Sequence, residues 1–305
     1  MGLEQFSAPV RAWFDTSFPA PTPAQAQGWP AIAAGDHTLI LAPTGSGKTL
    51  AAFLWGIDRL ATEPVPDKER RTRLLYISPL RALAVDIEKN LRAPLAGIRL
   101  AGERLGIEVN EPVVGMRTGD TSTDERRRLV RHPPDLLITT PESLYLMLTS
   151  QARETLRGVQ AVIIDEIHAV AATKRGSHLA LTLERLAAVC DQPPQRIGLS
   201  ATQRPLEEIA RFLGGFGEDR RPRPVTIVDA GVRKEMDVEV VVPVDDMGDL
   251  GTVSAPGELR SGPAHMALTP QRASIWTSIY PRILEQVLEH RTTIIFCNAR
   301  RQAER

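Results

Sequence analysis

The sequence has few cysteines and no excess of charge of either sign. Cys190 and Cys297 are its two cysteines among 305 residues, and neither lies in a CxxC pair or a ligand cluster. This usage argues against disulfides and cysteine-bound zinc, and it suits a reducing compartment. The 37 basic residues balance the 37 acidic ones, so the formal net charge is zero. No overall field therefore indicates a polyanionic partner, although local basic patches are compatible with this balance.

Long apolar runs are also absent from the sequence. No stretch approaches the roughly 20 apolar residues that a membrane-spanning helix needs. Residues 1–15 lack the basic segment and apolar core of a signal peptide. We therefore expect a cytoplasmic protein without a membrane partner.

A phosphate-binding motif is the most informative feature that is present. Residues 42–49 read Ala-Pro-Thr-Gly-Ser-Gly-Lys-Thr, directly after the apolar run 38–41 and before a helix-period pattern. In such a loop the glycines let backbone N–H groups surround a triphosphate, while the lysine reaches its β- and γ-phosphates and the last hydroxyl holds Mg²⁺. The helix N-terminus adds a favourable dipole. A flexible surface loop is the alternative, which the strand–loop–helix order disfavours. The predicted nucleotide contacts are Thr44, Gly45, Ser46, Gly47, Lys48 and Thr49.

Short apolar runs alternate with helix-period segments from residue 37 onward. This alternation predicts an α/β fold, in which helices cover both faces of a mostly parallel sheet. The predicted strands are His37–Leu41, Arg73–Ser78, Pro112–Met116, Asp135–Thr139, Ala161–Asp165, Arg196–Leu199 and Val225–Val228. The predicted helices cover residues 47–62, 80–105, 123–131, 141–149, 175–190 and 205–213.

The pattern changes after residue 231. Val238–Val244 is typical of one more strand, and residues 244–270 are rich in Gly, Pro, Asp and Ser, as in a linker or mobile loop. Gln271–His290 has the period of a helix that Pro281 kinks or splits. Arg291–Cys297 is predicted to be a further strand. A second α/β unit therefore begins near residue 271.

A pair of carboxylates follows the predicted buried strand at 161–165. The sequence there is Asp165-Glu166-Ile167-His168. A carboxylate at the carboxyl end of a strand beside a P-loop can complete the shell of a Mg²⁺ ion, and the next one can orient or deprotonate the attacking water. We predict Asp165 as a metal ligand and Glu166 as the general base, with Lys48 as the third catalytic residue. An ordinary charged turn is the alternative.

Several other segments occur in the order of the helicase motifs. With these segments the chain resembles a superfamily-two helicase of the DEAD/DEAH type. Within that type it is most similar to the large helicase-related (Lhr) family. Each motif alone is a weak signal, but the complete series is specific. The resemblance covers roughly residues 6–305. The segments and the motifs they resemble are Pro21–Gln25 (Q motif), Ser78–Leu83 (motif Ia), Arg117–Thr121 (the segment after Ia), Thr140–Ser143 (motif Ib), Asp165–His168 (motif II), Ser200–Thr202 (motif III) and Ile294–Asn298 (motif IV).

This resemblance implies a RecA-like P-loop NTPase domain followed by the start of a second RecA-like lobe, with ATP and Mg²⁺ as cofactors. Gln25 would read the adenine edge, and His168 would contact motif III. With Ser200 and Thr202 it would couple the nucleotide site to the nucleic acid. Residues 200–202 are equally suited to cap a helix before Pro205. The Lhr family further implies translocation along DNA or its unwinding, and a link to DNA repair.

The resemblance also indicates a nucleic-acid surface. Motifs Ia and Ib lie where a strand ends and a helix begins, so backbone N–H groups and small hydroxyls can hold phosphates. Such contacts read no bases, so we expect a single-stranded or partly duplex partner, with DNA favoured over RNA. Arg81 is equally compatible with a solvated helix arginine. The predicted contacts are Pro79, Arg81, Arg117, Thr118, Gly119, Thr140 and Pro141.

Four regions follow from these expectations: a helical lead-in (1–20), an ATP-binding lobe (21–243), a linker or mobile loop (244–270) and an incomplete second lobe (271–305). In this family the second lobe normally belongs to the same chain and supplies arginine fingers, which are worth about 10³–10⁵ in rate. Motifs V and VI do not follow motif IV here, so we expect a truncated, weakly active lobe. The alternative is a non-catalytic nucleotide- and nucleic-acid-binding module. A transporter or switch NTPase is disfavoured, since Leu-Ser-Gly-Gly-Gln and Asn-Lys-x-Asp are both missing.

Overall fold

A computed structural model of the protein describes residues 2–201, 205–217, 219–231, 237–242 and 276–299. The chain divides into two compact units, Met1–Arg233 and Lys234–Arg305. The predicted linker at 244–270 lies outside the described residues, as does Thr202. Among the helices described, none combines the length and apolar character that crossing a membrane requires.

The first unit is built on a seven-stranded sheet in which every neighbouring pair is parallel. The strand order is β3-β4-β2-β5-β6-β1-β7, so the chain crosses over repeatedly to insert strands at the centre. This topology confirms the predicted RecA-like α/β class, and each observed strand begins and ends within two residues of its prediction. The strands are β1 (Thr38–Leu41), β2 (Leu74–Ile77), β3 (Val114–Arg117), β4 (Leu136–Thr139), β5 (Ala161–Ile164), β6 (Gln195–Ser200) and β7 (Thr226–Asp229).

Helices connect these strands on both faces of the sheet. Two further short segments, Lys68–Arg70 and Gln151–Leu156, are 3₁₀ helices. The six helices predicted from the sequence are all present with ends shifted by one residue or less. Helix α1 lies within the predicted helical lead-in at 1–20, and two others, α2 and α7, had no predicted bounds. The helices of this unit are α1 (Ala8–Ser17), α2 (Pro23–Ala33), α3 (Lys48–Thr62), α4 (Arg81–Leu105), α5 (Thr123–Arg131), α6 (Pro141–Leu148), α7 (Ile167–Ala171), α8 (Lys174–Val189) and α9 (Leu206–Gly214).

The core consists of two apolar layers, one on each face of the sheet. Alternate residues of a strand point to opposite faces, and β1 shows this directly. Ile40 packs in the layer formed with α1 to α4, whereas Leu39 and Leu41 pack in the layer formed with α6 to α9. Because both faces of the central strands are covered, these strands are continuously apolar.

The second unit contains the helix α10 (Trp276–Glu289), which continues across Pro281 without a split. The predicted strands Val238–Val244 and Arg291–Cys297 are wrong for the described residues of this unit. Residues 237–242 and 291–299 carry no strand, and the side chains of Ile294 and Phe296 are 74% and 91% exposed. A strand needs a hydrogen-bonded neighbour. The described part of this unit offers these segments none.

Candidate nucleotide-binding and catalytic site

The predicted motifs of the first unit lie at one edge of the sheet. The register aligns the last residues of neighbouring strands, with Leu41 of β1 opposite Ser200 of β6 and Ile77 of β2 opposite Ile164 of β5. In open parallel sheets, ligands bind outside this carboxyl edge. The fold therefore collects at one edge the segments that follow β1, β2, β3, β4, β5 and β6, which begin at Ala42, Ser78, Thr118, Thr140, Asp165 and Ala201.

Two glycines shape the loop between β1 and α3. Gly45 and Gly47 have φ angles of 80° and 78°, in the left-handed region that favours glycine. A Cβ atom on Gly47 would lie 2.7 Å from Nε2 of Gln25, so a side chain there would force the Gln25 amide to shift. Gly47 is also the residue that precedes α3. The loop thus delivers the helix N-terminus to the carboxyl edge, where exposed backbone N–H groups form an anion site.

Lys48 lies at the first position of α3 and is only 7% exposed. Within the described part of the chain its ammonium group has no ion-pair or hydrogen-bond partner. The nearby hydroxyl of Ser46 is also buried, and no described residue bonds it. A buried cation without a partner is costly unless an anion binds it. These two unpartnered groups fit the phosphates of a nucleotide.

Gln25 connects the Q-motif segment to this loop. Its Oε1 accepts the backbone N–H of Thr22 at 3.0 Å, and Thr22 Oγ1 accepts the N–H of Gln25 at 3.4 Å, which forms a capping box at the start of α2. Its Nε2 donates to the carbonyl oxygen of Gly47 at 3.4 Å. One N–H and one lone pair of the amide remain for a ligand. Gln25 therefore links the start of α2 to the phosphate loop.

The carboxylate pair follows β5, as its sequence position requires. Asp165 is 7% exposed, and its Oδ1 accepts the backbone N–H of Glu166 at 2.9 Å. Oδ2 accepts a hydrogen bond from the hydroxyl of Tyr76. Glu166 has φ 43° and ψ 41°, a left-handed conformation that is uncommon for a residue with a side chain. Strained backbone of this kind concentrates at functional sites.

His168 lies against the segment at the end of β6. Its Nδ1 is 3.2 Å from Oγ of Ser200 and accepts the backbone N–H of Ala201 at 3.3 Å. The same nitrogen is 3.4 Å from Oε2 of Glu166, a distance compatible with an ion pair. An N–H can only donate, so the contact with Ala201 requires a lone pair on Nδ1, and in this geometry no ion pair forms. The predicted neighbours His168 and Ser200 are thus brought together.

The site has the donors that Mg²⁺ prefers. Thr49 and Asp165 supply a hydroxyl and a carboxylate, which are hard oxygen ligands. Among the described residues there is no group of three or more His, Cys, Asp or Glu side chains that would form a complete metal cage. Nucleotide-associated Mg²⁺ needs no such cage, since one or two protein ligands and the substrate phosphates hold it. These residues therefore fit a metal ion that arrives with the nucleotide.

The predicted nucleic-acid residues lie at the same edge with differing exposure. Arg81, at the start of α4, is exposed and pairs with the carboxylate of Asp120. Arg117, the last residue of β3, is 8% exposed, and burial lowers the pKa of its guanidinium, with a further contribution from Arg126. Thr140 caps α6, because its Oγ1 accepts the N–H of Ser143 at 3.4 Å. Pro79, Thr118 and Pro141 are buried, and Gly119 is exposed.

The motifs alone did not indicate two hydrogen bonds of the site, that from Tyr76 to Asp165 and that from Ala201 to His168. Tyr76 appeared only as an apolar strand position, and the N–H of Ala201 belongs to the backbone. The continuously apolar run around Tyr76 was a usable signal, because a tyrosine on a buried strand requires a partner for its hydroxyl.

Comparison with known proteins agrees with the geometry. The profile of the DEAD/DEAH box helicases matches residues 22–209. The chain is 54% identical over 303 residues to the Lhr helicase/probable uracil glycosylase of Mycolicibacterium smegmatis, which covers 99% of this chain and 18% of that protein. It is 41% identical over 304 residues to the ATP-dependent helicase Lhr-Core of Methanocaldococcus jannaschii, which covers 99% of this chain and 33% of that protein. The chain spans a third or less of these relatives.

A solved structure extends the similarity to three dimensions. The Mycobacterium smegmatis helicase Lhr bound to ssDNA and AMP-PNP matches with a TM-score of 0.80 and 53% identity, over 99% of this chain and 35% of that one. The match to the helicase profile covers more than half of the chain. The chain belongs to the DEAD/DEAH box helicase family, and it is homologous over nearly its whole length to Lhr helicases.

Proposed function

We propose that the chain is the ATP- and nucleic-acid-binding lobe of an ATP-dependent helicase or translocase that acts on DNA. The observation that carries this proposal is the meeting of three features at one sheet edge. They are a phosphate loop with the unpartnered Lys48, the carboxylate pair Asp165–Glu166, and the contact of His168 with Ser200 and Ala201. The contact of His168 with Ser200 and Ala201 is not expected in a switch or transporter ATPase.

ATP binds in this proposal through its phosphates at residues 44–49 and through its base at Gln25. Thr49 and Asp165 would hold a Mg²⁺ ion, whose positive charge would offset the negative charge of the phosphates. Glu166 accepts a proton from the water that attacks the γ-phosphorus in line. The α3 N-terminus and Lys48 stabilise the negative charge of the transition state.

His168, Ser200 and Thr202 transmit the state of the nucleotide site to the nucleic-acid surface. The described contacts of His168 with the end of β6 support this role, since β6 leads directly into motif III. The surface itself comprises Pro79, Arg81, Arg117, Thr118, Gly119, Thr140 and Pro141. It binds the sugar-phosphate backbone and therefore reads no sequence. DNA is favoured over RNA because the similar Lhr structure contains ssDNA.

The active molecule needs a second helicase lobe, which we propose belongs to the same polypeptide. The matched relatives are at least three times as long as the aligned region, with 18% and 33% of their lengths covered. In this arrangement residues 1–20 lead into the first lobe at 21–243, and residues 244–270 link it to a second lobe that starts near 271. Without arginine fingers the chain alone turns ATP over slowly. A cytoplasmic location and a role in DNA repair complete the proposal.

The experiment is an ATPase and unwinding assay with and without single-stranded DNA, on this chain and on a chain extended through a complete second lobe. We expect weak turnover from the first, and DNA-stimulated turnover with strand separation from the second. A non-catalytic binding module would bind nucleotide and DNA, yet neither protein would show stimulation. That result would replace the helicase proposal.

A further inference from the structure

A tyrosine hydroxyl reaches the carboxylate pair from within the core. Tyr76 lies in β2 and is fully buried, and its hydroxyl donates to Oδ2 of Asp165. The other oxygen, Oδ1, accepts the backbone N–H of Glu166 at 2.9 Å. Each carboxylate oxygen is therefore held by one protein donor and keeps lone-pair capacity for a further contact. The carboxylate cannot rotate without breaking both hydrogen bonds.

The sheet register explains why a tyrosine can make this contact. Tyr76 of β2 is opposite Ile163 of β5, and Asp165 comes two residues after Ile163, on the same face of the sheet. Such diagonal neighbours are about 7–8 Å apart at their Cα atoms, a separation that a long aromatic side chain can bridge. A phenylalanine at this position would fill the same space without a donor. The hydroxyl is thus the group that distinguishes the two residues here.

The ring of Tyr76 is also fixed on its other side. It packs against Phe53 with the ring centroids 5.1 Å apart and an interplanar angle of 30°. Phe53 belongs to α3, the helix that begins at Lys48. An ionised carboxylate can only accept hydrogen bonds, so the Tyr76 hydroxyl is the donor in its contact with Asp165.

We propose that Tyr76 is a positioning residue, which acts through its hydroxyl on Asp165 to fix that carboxylate for the metal ion of a bound nucleotide. The inference rests on the proposed function, because it takes Asp165 as the metal ligand. Carboxylate ligands are held by outer hydrogen bonds, whose loss typically weakens metal affinity by about 10- to 100-fold. Tyr76 supplies the buried one of the two hydrogen bonds to Asp165.

The test uses Tyr76→Phe and a fluorescent, non-hydrolysable ATP analogue titrated with Mg²⁺. We expect unchanged affinity for the analogue without Mg²⁺, and an increase of about 10- to 100-fold in the Mg²⁺ concentration that gives half-maximal enhancement of binding. ATP turnover should recover at saturating Mg²⁺. Tyr145→Phe is the matched control, because Tyr145 lies on α6 and its ring contacts His178 and Arg185. That variant should match the parent.

The proposal would be overturned if the Mg²⁺ concentration for half-maximal enhancement in Tyr76→Phe stayed within about twofold of the parent value. It would also be overturned if Tyr76→Phe lost affinity for the analogue without Mg²⁺, because that result indicates a structural role. Asp165→Asn is measured in parallel. If it leaves the Mg²⁺ dependence intact, the metal role of Asp165 fails and the proposed function fails with it, which is distinct from a failure of Tyr76 alone.

A second measurement keeps the Tyr76 hydroxyl in place. Site-specific 3-fluorotyrosine at position 76 keeps the ring and the hydroxyl, so its ¹⁹F resonance reports on the contact with Asp165. We expect this resonance to shift when Mg²⁺ is added to protein saturated with the analogue. A resonance that does not move on Mg²⁺ addition would contradict the proposal.

Discussion

The backbone N–H of Ala201 donates a hydrogen bond to Nδ1 of His168 at 3.3 Å. This contact joins the segment after β5 to the segment after β6, two strands that are neighbours in the sheet. Because the donor is a backbone group, any movement of His168 acts on the main chain of motif III and not only on a side chain. Ser200 lies 3.2 Å from the same nitrogen.

His168→Ala should therefore uncouple the two sites. We expect ATP affinity to stay within about twofold of the parent and DNA stimulation of turnover to fall at least about tenfold, which corresponds to about 1.4 kcal/mol of coupling. The measurement is ATPase activity against DNA concentration, on the chain extended through a second lobe. His132→Ala is the matched control, since His132 is exposed at the end of α5. Full stimulation in His168→Ala would exclude the coupling role.

Glu166→Gln should abolish turnover while nucleotide binding persists. The amide keeps the size of the carboxylate but cannot accept the proton of the attacking water, so we expect a loss of about 10²–10⁴ in the turnover rate. Single-turnover hydrolysis and analogue binding measure the two properties separately. Parental turnover in this variant would show that another group is the general base.

Gly47→Ala should weaken ATP binding more than a comparable substitution elsewhere. Both Gly47 and Gly35 have positive φ angles, but a Cβ on Gly47 would meet Gln25 at 2.7 Å, while one on Gly35 meets nothing within 4 Å. Each substitution carries a backbone cost of about 1–2 kcal/mol. Only Gly47→Ala displaces the Gln25 amide that bonds the loop, so we expect at least about a tenfold loss of ATP affinity there and none in Gly35→Ala. Equal affinities by titration calorimetry would contradict this account.

A partly buried ion cluster anchors the end of α9. Glu184 accepts from Arg196 at 3.0 Å and from Arg223 at 2.8 Å, and both arginines also donate to the carbonyl of Gly214. The Arg196 side chain is 3% exposed and that of Glu184 39%. We expect Glu184→Ala to destabilise the fold by about 1–3 kcal/mol, below the value for a fully buried pair because solvent screens Glu184.

The same cluster should make stability depend on pH. Burial raises the pKa of Glu184, but the hydrogen bonds from Arg223 and Arg196 outweigh it, and the net shift is downward from 4.5. A depressed pKa means that the stabilisation is present above the unfolded value and is lost as pH falls through the folded value. Urea unfolding at several pH values should show the gap between parent and Glu184→Ala shrink below about pH 4.5. Glu208→Ala removes an exposed ion pair with Arg211. Its free energy of unfolding should differ from that of the parent by less than about 1 kcal/mol.

The two thiols should differ in reactivity. Burial raises the pKa of Cys190 to about 12, and its Sγ lies 3.3 Å from the carbonyl of Leu156, whereas Cys297 is exposed. Since the thiolate is the reactive form, Ellman's reagent at pH 8 should modify Cys297 promptly and Cys190 only after unfolding. Cys297→Ser should therefore give almost no reaction in the folded state. Prompt modification of that variant would contradict the burial of Cys190.

The sheet was predictable because its signal is local. Each strand of the first unit is a short apolar run bounded by polar or turn residues, and the strand–loop–helix order around 42–49 placed the phosphate loop. Helix α2 was not predicted, since Gly28 and Pro30 lie inside it and argue against a helix. Its capping box and the burial of Trp29 and Ile32 outweigh that preference. Helix α7 is too short, at five residues, to show a period.

Contacts between strands could not be predicted in the same way. Tyr76 meets Asp165 only because β2 and β5 are neighbours in one particular register, and no single segment encodes that pairing. The segment at 291–297 shows the opposite case, in which a strand predicted from the local pattern does not form. Its apolar run has the composition of a strand, but a strand forms only where a partner accepts its hydrogen bonds. Local pattern therefore identifies candidates, and tertiary context selects among them.

The hydrogen bond from Gln25 to the carbonyl of Gly47 has a consequence for nucleotide selection. The proposed function has the same amide contact the base, and Gln25 also bonds the phosphate loop. The two ends of the nucleotide would then not be recognised independently, because a nucleotide with the wrong base would lose its own contact and also relax the loop that aligns its phosphates. Discrimination between bases would then appear in the turnover number as well as in affinity. Base discrimination and phosphate alignment would then both depend on the side chain of Gln25.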